Sequence, residues 1–261
     1  MGRVKIYVCS DELEAWNIRW KWLWFTRDIW ECKYWKEEQN ALKPVFSALS
    51  KLNVKSILDC SCGLGYKTIL FAKTGYEVEG SDASAIAIKH ARELAENEGV
   101  KIRFFRSRYE ELVEKCKRRY DCVWSDNFDE ISTYKYLKTA AKNTYSILNF
   151  NGKLLFAATM EKNLKKVIKA EWLKRKRFYV YTPYEKNGKK VTHIEVAEKT
   201  SEGILEHNIF LIEDKGIFRA EIASLMNPRI KWRFEDFNKV LKEVGFREVY
   251  VDAENIVVTV K

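Results

Sequence analysis

The chain has 261 residues, of which 46% are hydrophobic and 14% aromatic, and it carries a formal net charge of +10. This composition predicts a packed globular protein with one large α/β domain, or one such domain with a subdomain. No run of eighteen apolar residues occurs, which excludes a membrane-spanning helix, and the N-terminal stretch lacks the apolar core of a signal peptide. We therefore expect a cytoplasmic protein with no membrane partner.

The distribution of charged residues and of cysteines indicates which partners and metals to expect. The densest basic segment is 162–177, which keeps nucleic acid open as a minority partner. Six cysteines lack the paired spacing of zinc sites, so we expect reduced thiols and no metal. Only three prolines and three histidines occur beside many Lys and Glu residues, which is a thermophile-like composition.

The N-terminal residues 11–52 are predicted to be helical, with Trp16, Trp20 and Trp24 spaced four apart on one face. We expect these three rings to pack on the sheet predicted below. A second group in this segment allows two interpretations: packing, or a lid that screens the ligand from water and contacts a cationic substrate through its rings. The lid candidates are Arg27, Trp30, Tyr34 and Trp35.

Short apolar strands alternate with helices through the middle of the chain, which predicts a parallel, doubly wound sheet with right-handed crossovers. The five strands are predicted at 54–60, 76–82, 101–107, 120–126 and 152–159. After about residue 175 the helices disappear, and Asn187-Gly188 is the turn dipeptide of a β-hairpin. A helix ended by Gly245 and two last strands then complete a seven-stranded sheet.

These elements divide the chain into four predicted parts. Residues 1–40 form an N-terminal helical lid and residues 41–174 form the core. An antiparallel β insert, or substrate cap, covers 175–230, and 231–261 supply the helix and hairpin that complete the core sheet. The predicted fold class is α/β.

A glycine turn follows the first predicted strand, in the sequence Asp59-Cys-Ser61-Cys-Gly63-Leu-Gly65-Tyr66. Its two glycines allow the backbone to approach a ligand closely, and the start of the next helix favours an anionic group by roughly 0.3–1 kcal/mol. A dinucleotide-binding turn would have a third glycine, but Thr68 stands there. The turn alone is as consistent with an ordinary tight turn as with a ligand site.

Asp82 ends the second predicted strand, seventeen residues after Gly65. A carboxylate at this position can accept hydrogen bonds from both hydroxyls of a ribose. The alternative is that Asp82 only caps the next helix, a role for which Ser84 competes. The glycine turn and the acid together predict a ligand that contains a nucleoside.

Residues 57–84, ILDCSCGLGYKTILFAKTGYEVEGSDAS, resemble the first two motifs of the class I S-adenosylmethionine (SAM) dependent methyltransferases. They are most similar to the glycine/sarcosine N-methyltransferase branch, and the resemblance covers about residues 35–160. It implies a Rossmann-like, seven-stranded, mostly parallel sheet with an antiparallel insert. It also implies SAM as cofactor and S-adenosylhomocysteine as product, in an enzyme of the EC 2.1.1 class.

The resemblance also implies a role for each matching residue. The turn from Asp59 to Tyr66, with Ser61, Gly63 and Gly65, would line the methionine end of SAM, and Asp82 would hold the ribose. The residues beside the adenine would be Ala83, Ser84, Arg108 and Tyr109. Asp126 and Asn127 would face the methyl group and the substrate as the candidate catalytic residues. Thr159 stands where glycine N-methyltransferases have a carboxylate-binding Arg, so we do not expect glycine as the acceptor.

Three hypotheses on function remain. The first is a methyltransferase for a small-molecule acceptor, with nitrogen favoured over oxygen or carbon. The second is an RNA or protein methyltransferase that uses the basic segment 162–177. The third is a protein that binds SAM without catalysis. The sequence does not indicate an oligomeric state.

Overall fold

The structure is a computed structural model and describes residues 5–9 and 11–261. The strands are β1 (Lys5–Val8), β2 (Ser56–Cys60), β3 (Glu77–Asp82), β4 (Arg103–Arg106), β5 (Tyr120–Ser125), β6 (Leu148–Ala157), β7 (Phe178–Val180), β8 (Tyr184–Lys186), β9 (Lys189–Lys199), β10 (Gly203–Asp214), β11 (Ile217–Arg229), β12 (Glu248–Val251) and β13 (Ile256–Val260). The helices are α1 (Glu12–Phe25), α2 (Glu31–Ala41), α3 (Lys43–Ser50), α4 (Tyr66–Lys73), α5 (Ala85–Asn97), α6 (Leu112–Lys115), α7 (Tyr134–Ile147), α8 (Leu164–Lys174) and α9 (Phe234–Val244). Short 3-10 turns span Arg27–Ile29 and Tyr109–Glu111.

The chain forms two compact units. The core unit consists of Cys32–Lys162 and Lys231–Lys261. The insert unit consists of the described residues of Met1–Glu31 together with Asn163–Ile230. The four-part division predicted from the sequence stays a prediction.

The core unit contains a seven-stranded sheet in the order β12-β13-β6-β5-β2-β3-β4. Strands β2 to β6 are parallel, and β13 and β12 add the antiparallel edge. The predicted α/β fold with a seven-stranded, mostly parallel sheet is therefore confirmed. Successive strands run outward in opposite directions from β2 and β5, so the topological switch point lies between these two strands.

Helices cover both faces of this sheet, which explains why the central strand β2 is buried at every position. Ile57 and Leu58 are consecutive in β2 and are both fully buried. Leu58 packs in one cluster with Phe156 and Phe237, whereas Ile57 packs on the opposite face with Phe71 and Leu155. This double burial fixes the end of β2, from which the glycine turn leaves.

The insert unit contains a second sheet in the order β1-β11-β10-β9-β7, with β8 also paired to β9. Strands β9, β10 and β11 are antiparallel, as predicted, whereas β1 pairs with β11 in parallel and was not predicted. Asn187 and Gly188 have φ angles of 54° and 71° between β8 and β9. These positive values at both positions are those of a tight hairpin turn, so the predicted turn is confirmed.

Residues 11–52 are helical, as predicted, and form three helices, because a 3-10 turn interrupts them after Thr26 and Pro44 lies in the first turn of α3. The buried residues of α1 that pack on the second sheet are Ala15, Ile18 and Trp22. Of the predicted tryptophan stripe, Trp16 packs against this cluster and also stacks on Trp20, with ring centroids 5.2 Å apart. Among the described residues, no helix is long and apolar enough to cross a bilayer.

Candidate functional site

The candidate site lies at the carboxyl ends of the parallel strands of the core unit, where ligands of open α/β sheets bind. Ser61, which follows β2, and Ser125, which ends β5, approach each other with 3.5 Å between their hydroxyl oxygens. The two hydroxyls therefore mark the switch point. Ser125 was not predicted as a site residue, although it directly precedes the predicted Asp126.

The glycine turn has the backbone that its sequence requires. Ser61, Gly63 and Gly65 have φ angles of 59°, 53° and 87°, in the left-handed region that favours glycine. A Cβ atom on Gly65 would lie 2.9 Å from the Cβ of Ala91 in α5. Gly65 therefore serves close packing of the turn against a neighbouring helix as well as the turn itself.

Asp82 and the glycine turn face each other. One carboxylate oxygen of Asp82 accepts a hydrogen bond from the Gly63 N–H at 3.0 Å, and the other accepts one from the Ser84 N–H at 2.8 Å. Ser84 caps α5, with its hydroxyl accepting from the Ala87 N–H at 3.0 Å, so Asp82 is not the helix cap. Burial raises the pKa of Asp82, and the two backbone N–H groups oppose this shift.

Asp59 lies beneath the turn rather than at its surface. Asp59 is only 1% exposed, and its carboxylate accepts a hydrogen bond of 2.6 Å from the Thr68 hydroxyl. Burial raises the pKa of Asp59 to about 7, against the effect of that hydrogen bond. Thr68, which stands in place of a third glycine, thus ties α4 to the end of β2. Direct contact of Asp59 with a ligand stays a prediction.

The residues predicted beside an adenine lie at the ends of β3 and β4. The Ala83 carbonyl accepts a hydrogen bond of 3.1 Å from the Arg106 side chain. Arg108 is exposed, and its backbone N–H donates to Glu111 at 3.0 Å. Tyr109 turns its hydroxyl toward Ser125, with 2.5 Å between the two oxygens. Tyr109 therefore connects β4 to the switch point.

The loop after β5 carries Asp126 and Asn127. Asp126 forms an ion pair with Lys67, and Lys67 also pairs with the buried Glu38 of α2 at 3.2 Å. Burial disfavours the charged Lys67, but Asp126 and Glu38 outweigh it and raise the pKa of the ammonium group. Asn127 donates to Glu130 at 3.1 Å. Lys67 and Glu38 were not predicted as site residues, because nothing in the local sequence pairs them with a loop far along the chain.

The four lid candidates fall into two groups. Tyr34 and Trp35 belong to the core unit, where both rings contact Tyr66 edge-on at centroid distances of 4.9 and 4.6 Å. Arg27 and Trp30 belong to the insert unit. There Arg27 lies over the Trp24 ring at 4.0 Å, and the Trp30 indole donates to the Leu23 carbonyl at 3.1 Å. A lid function for these residues stays a prediction.

Part of the chain matches a known domain family. Residues 57–152 match the family model described as "Methyltransferase domain". This stretch holds the glycine turn, Asp82 and the loop after β5. No curated protein sequence matches the chain.

Solved structures of SAM-dependent methyltransferases share this fold. A SAM-dependent methyltransferase from Clostridium acetobutylicum has 16% identity and a TM-score of 0.59, with 83% of this chain and 88% of that chain covered. DesVI of Streptomyces venezuelae has 15% identity and a TM-score of 0.61, with 90% and 98% covered. The sugar N-methyltransferase KedS8 from Streptoalloteichus has 16% identity and a TM-score of 0.58, with 80% of each chain covered.

The domain match and the shared fold together support an enzyme of the SAM-dependent methyltransferase class, EC 2.1.1, with SAM as its cofactor. The glycine/sarcosine branch predicted from the sequence is not confirmed by these comparisons.

Proposed function

We propose that the chain transfers the methyl group of SAM to a nitrogen atom of a small-molecule amine. The observation that carries this proposal is the hydrogen bond between the Gly63 N–H and the Asp82 carboxylate. It fixes an acid from the end of β3 against the glycine turn, beside the switch point. This is the arrangement that a ligand with a ribose and a charged amino-acid end requires.

The residues at this point fit such a ligand. Each oxygen of Asp82 accepts one backbone hydrogen bond and keeps capacity for another, so the pair can accept from both hydroxyls of a ribose. The turn at Ser61 and Gly63 would bind the methionine end, and Ala83 and Tyr109 would lie beside the adenine. Tyr34 and Trp35, packed on Tyr66, would exclude water from the same end of the sheet.

The loop after β5 favours a cationic or protonated amine as acceptor. It carries Asp126, Asp129 and Glu130 together with Asn127. Burial is the main cause that raises the pKa of Asp129 well above its usual range, and the neighbouring Glu130 adds to it. A positive group placed in this loop would stabilise the charged form of that carboxylate. The sugar N-methyltransferase among the structures of the same fold supports nitrogen as the accepting atom.

SAM supplies an already activated methyl group, so the protein needs to provide position rather than covalent chemistry. Holding an acceptor in line can supply roughly 7–11 kcal/mol of the barrier. The amine must attack with a free lone pair, and we assign to Asp126 the acceptance of its proton, with the amide oxygen of Asn127 accepting a hydrogen bond from the amine. Lys67 would position Asp126 through their ion pair.

A labelling experiment tests the proposal. The purified protein is incubated with methyl-labelled SAM and a panel of amines, aminosugars, alcohols and thiols, and labelled products are identified. We expect label in an amine, and we expect Asn127→Ala to bind SAM normally but to lose turnover. The matched control is Asn97→Ala, an exposed position on α5, which should keep both. Label only in alcohols or thiols would contradict the nitrogen acceptor.

The same purified protein distinguishes two other functions from the proposed one. An RNA or protein acceptor draws on α8, where Lys165, Lys166 and Lys169 are exposed on the surface of the insert unit. RNA binding that weakens steeply with salt would favour it. A protein that binds SAM without catalysis would show normal binding and no labelled product with any acceptor class.

A further inference from the structure

The sheet of the insert unit has one face that helix α1 covers and an opposite face on which several apolar side chains are exposed. Phe210, Ala223 and Leu225 pack beneath α1 on the covered face. Successive residues of a strand point to opposite faces, so their neighbours Ile209 and Ile222 belong to the other face. The composition of this second face sets it apart from an ordinary solvated sheet surface.

A continuous aliphatic row crosses all five strands of this face. The strand register aligns Val8 with Ile222, Ile222 with Ile209, Ile209 with Ile194, and Ile194 with Val180. All five side chains are β-branched and apolar. A solvated antiparallel sheet would carry polar residues at such positions, so the pattern is that of a face intended for burial.

The rows on either side are also uncharged. One aligns Ile6, Ala220, Leu211 and Thr192, and the other aligns Ser224, His207, Val196 and Phe178. The polar atoms of the second row satisfy each other, because His207 and Ser224 form a hydrogen bond of 2.8 Å. These three rows contain no Lys, Arg, Asp or Glu residue. We call them the open face.

The open face is accessible to solvent in the isolated chain. Val8, Val180 and Leu211 are 60%, 46% and 43% exposed. Of the sixteen large hydrophobic side chains that are exposed among the described residues, five belong to the three rows of the open face: Ile6, Val8, Phe178, Val180 and Leu211. Single exposed apolar residues need no explanation, but a contiguous set on one sheet face marks an interaction surface.

We propose that the open face is the interface of a homodimer, with the open face of a second copy as its occupant. Sheets pack face to face about 10 Å apart with their apolar side chains interdigitated, and a two-fold axis brings identical patches together. An apolar face is its own complement. The chain carries a net charge of +10, so a surface without like charges favours the close association of two copies, and this face provides one.

The size and the border of the face agree with this occupant. Five strands about 4.8 Å apart and rows spanning about 20 Å give a projected area of about 480 Å² per copy. Two copies therefore bury about 960 Å² before side-chain corrugation is counted, which is close to the minimum of about 1,000 Å² for a specific interface. Charges of both signs lie at the border, where Lys190 aligns with Glu213 and Glu198 lies 3.5 Å from His207. Nucleic acid and anionic membranes need cationic side chains, which the open face lacks.

The test is the mass of the full chain in solution, measured by light scattering and by sedimentation over a range of concentrations. We expect a dimer for the unmodified protein. Ile209→Lys changes the centre of the open face. A two-fold interface would contain the new lysine of both copies, so the substitution should weaken dimerisation at least about a hundredfold. Leu211→Lys provides a second variant at an exposed position, and circular dichroism checks that both are folded.

The matched control is Phe150→Lys, which places the same charge at an exposed apolar residue of the core unit and should leave the dimer intact. A monomeric mass for the unmodified protein at every concentration would overturn the proposal. So would a dimer that survives both open-face substitutions. Binding of a monomeric protein to phosphatidylcholine vesicles, lost in Ile209→Lys, would identify a lipid surface as the occupant instead.

Discussion

The carboxylate of Asp82 and the backbone N–H of Gly63 are 3.0 Å apart and hydrogen-bonded, although β3 and the glycine turn are separate segments of the chain. The second oxygen of Asp82 binds the Ser84 N–H at 2.8 Å. Asp82 thus ties the glycine turn to the start of α5. This contact organises the site before any ligand binds.

Asp82→Ala should therefore lower stability as well as ligand affinity. The change leaves the Gly63 and Ser84 N–H groups without their acceptor, and we expect a loss of about 1–3 kcal/mol in the free energy of unfolding. Urea denaturation measures it. Glu77→Ala, at the exposed beginning of the same strand, is the control and should change stability far less. Equal losses in the two variants would contradict the assigned role of Asp82.

Gly65→Ala and Gly75→Ala separate packing from backbone strain. Both glycines have positive φ angles, 87° and 96°, but a Cβ on Gly65 would collide with Ala91, whereas one on Gly75 meets nothing within 4 Å. We expect about 1 kcal/mol of destabilisation for Gly75→Ala and about 2–4 kcal/mol for Gly65→Ala. Thermal unfolding of the two variants checks the difference, and similar losses would show that the approach of α5 to the turn is unimportant.

Lys67→Met should be strongly destabilising. Lys67 compensates the buried Glu38 at 3.2 Å, and its removal leaves that carboxylate without a cation. We expect a loss of about 3 kcal/mol in the free energy of unfolding. The double variant Glu38→Gln, Lys67→Met should recover part of this loss, because it removes the uncompensated charge. A double variant less stable than Lys67→Met would argue against this pairing.

Asp59 and Asp121 should give opposite dependences of stability on pH. Burial raises the pKa of Asp59 to about 7, so the folded state binds a proton that the unfolded state has released, and its contribution to stability falls as the pH rises from about 4 to 7. Asp59→Asn should therefore gain in melting temperature relative to the unmodified protein across this window.

The pKa of Asp121 is lowered, since hydrogen bonds from Asn149, Ser56 and Lys55 outweigh its burial. Its stabilising contribution is present above the unfolded-state pKa of about 4 and is lost as the pH falls below it. Asp121→Asn should therefore lose most stability at neutral pH and least in acid. Parallel pH profiles for the two asparagine variants would contradict the two environments.

The sequence predicts best what depends on near neighbours. The glycine turn, the Ser84 cap and the Asn187-Gly188 hairpin each follow from a few adjacent residues, and all three are confirmed. The parallel sheet could be predicted because its short strands each contain a group of apolar residues and alternate with helices.

Features made by distant partners could not be predicted in this way. Strand β1 is four residues long and pairs with β11, more than two hundred residues further along the chain. In α1, apolar residues occur around much of the helix, so the spacing of the largest rings did not reveal that Trp22 faces the sheet. Lys67 and Glu38 meet only because α2 packs beside the start of α4, a tertiary contact with no local signature.

Calorimetric titration with SAM and with S-adenosylhomocysteine is the most direct test of the central claim, that the glycine turn and Asp82 together bind the cofactor. We expect saturable heat with both ligands for the folded protein. Asp82→Asn should weaken both affinities at least about a hundredfold, because two charge-assisted hydrogen bonds to the ribose are lost. A well-folded protein that shows no heat with either ligand, or equal affinities in Asp82→Asn, would contradict the account.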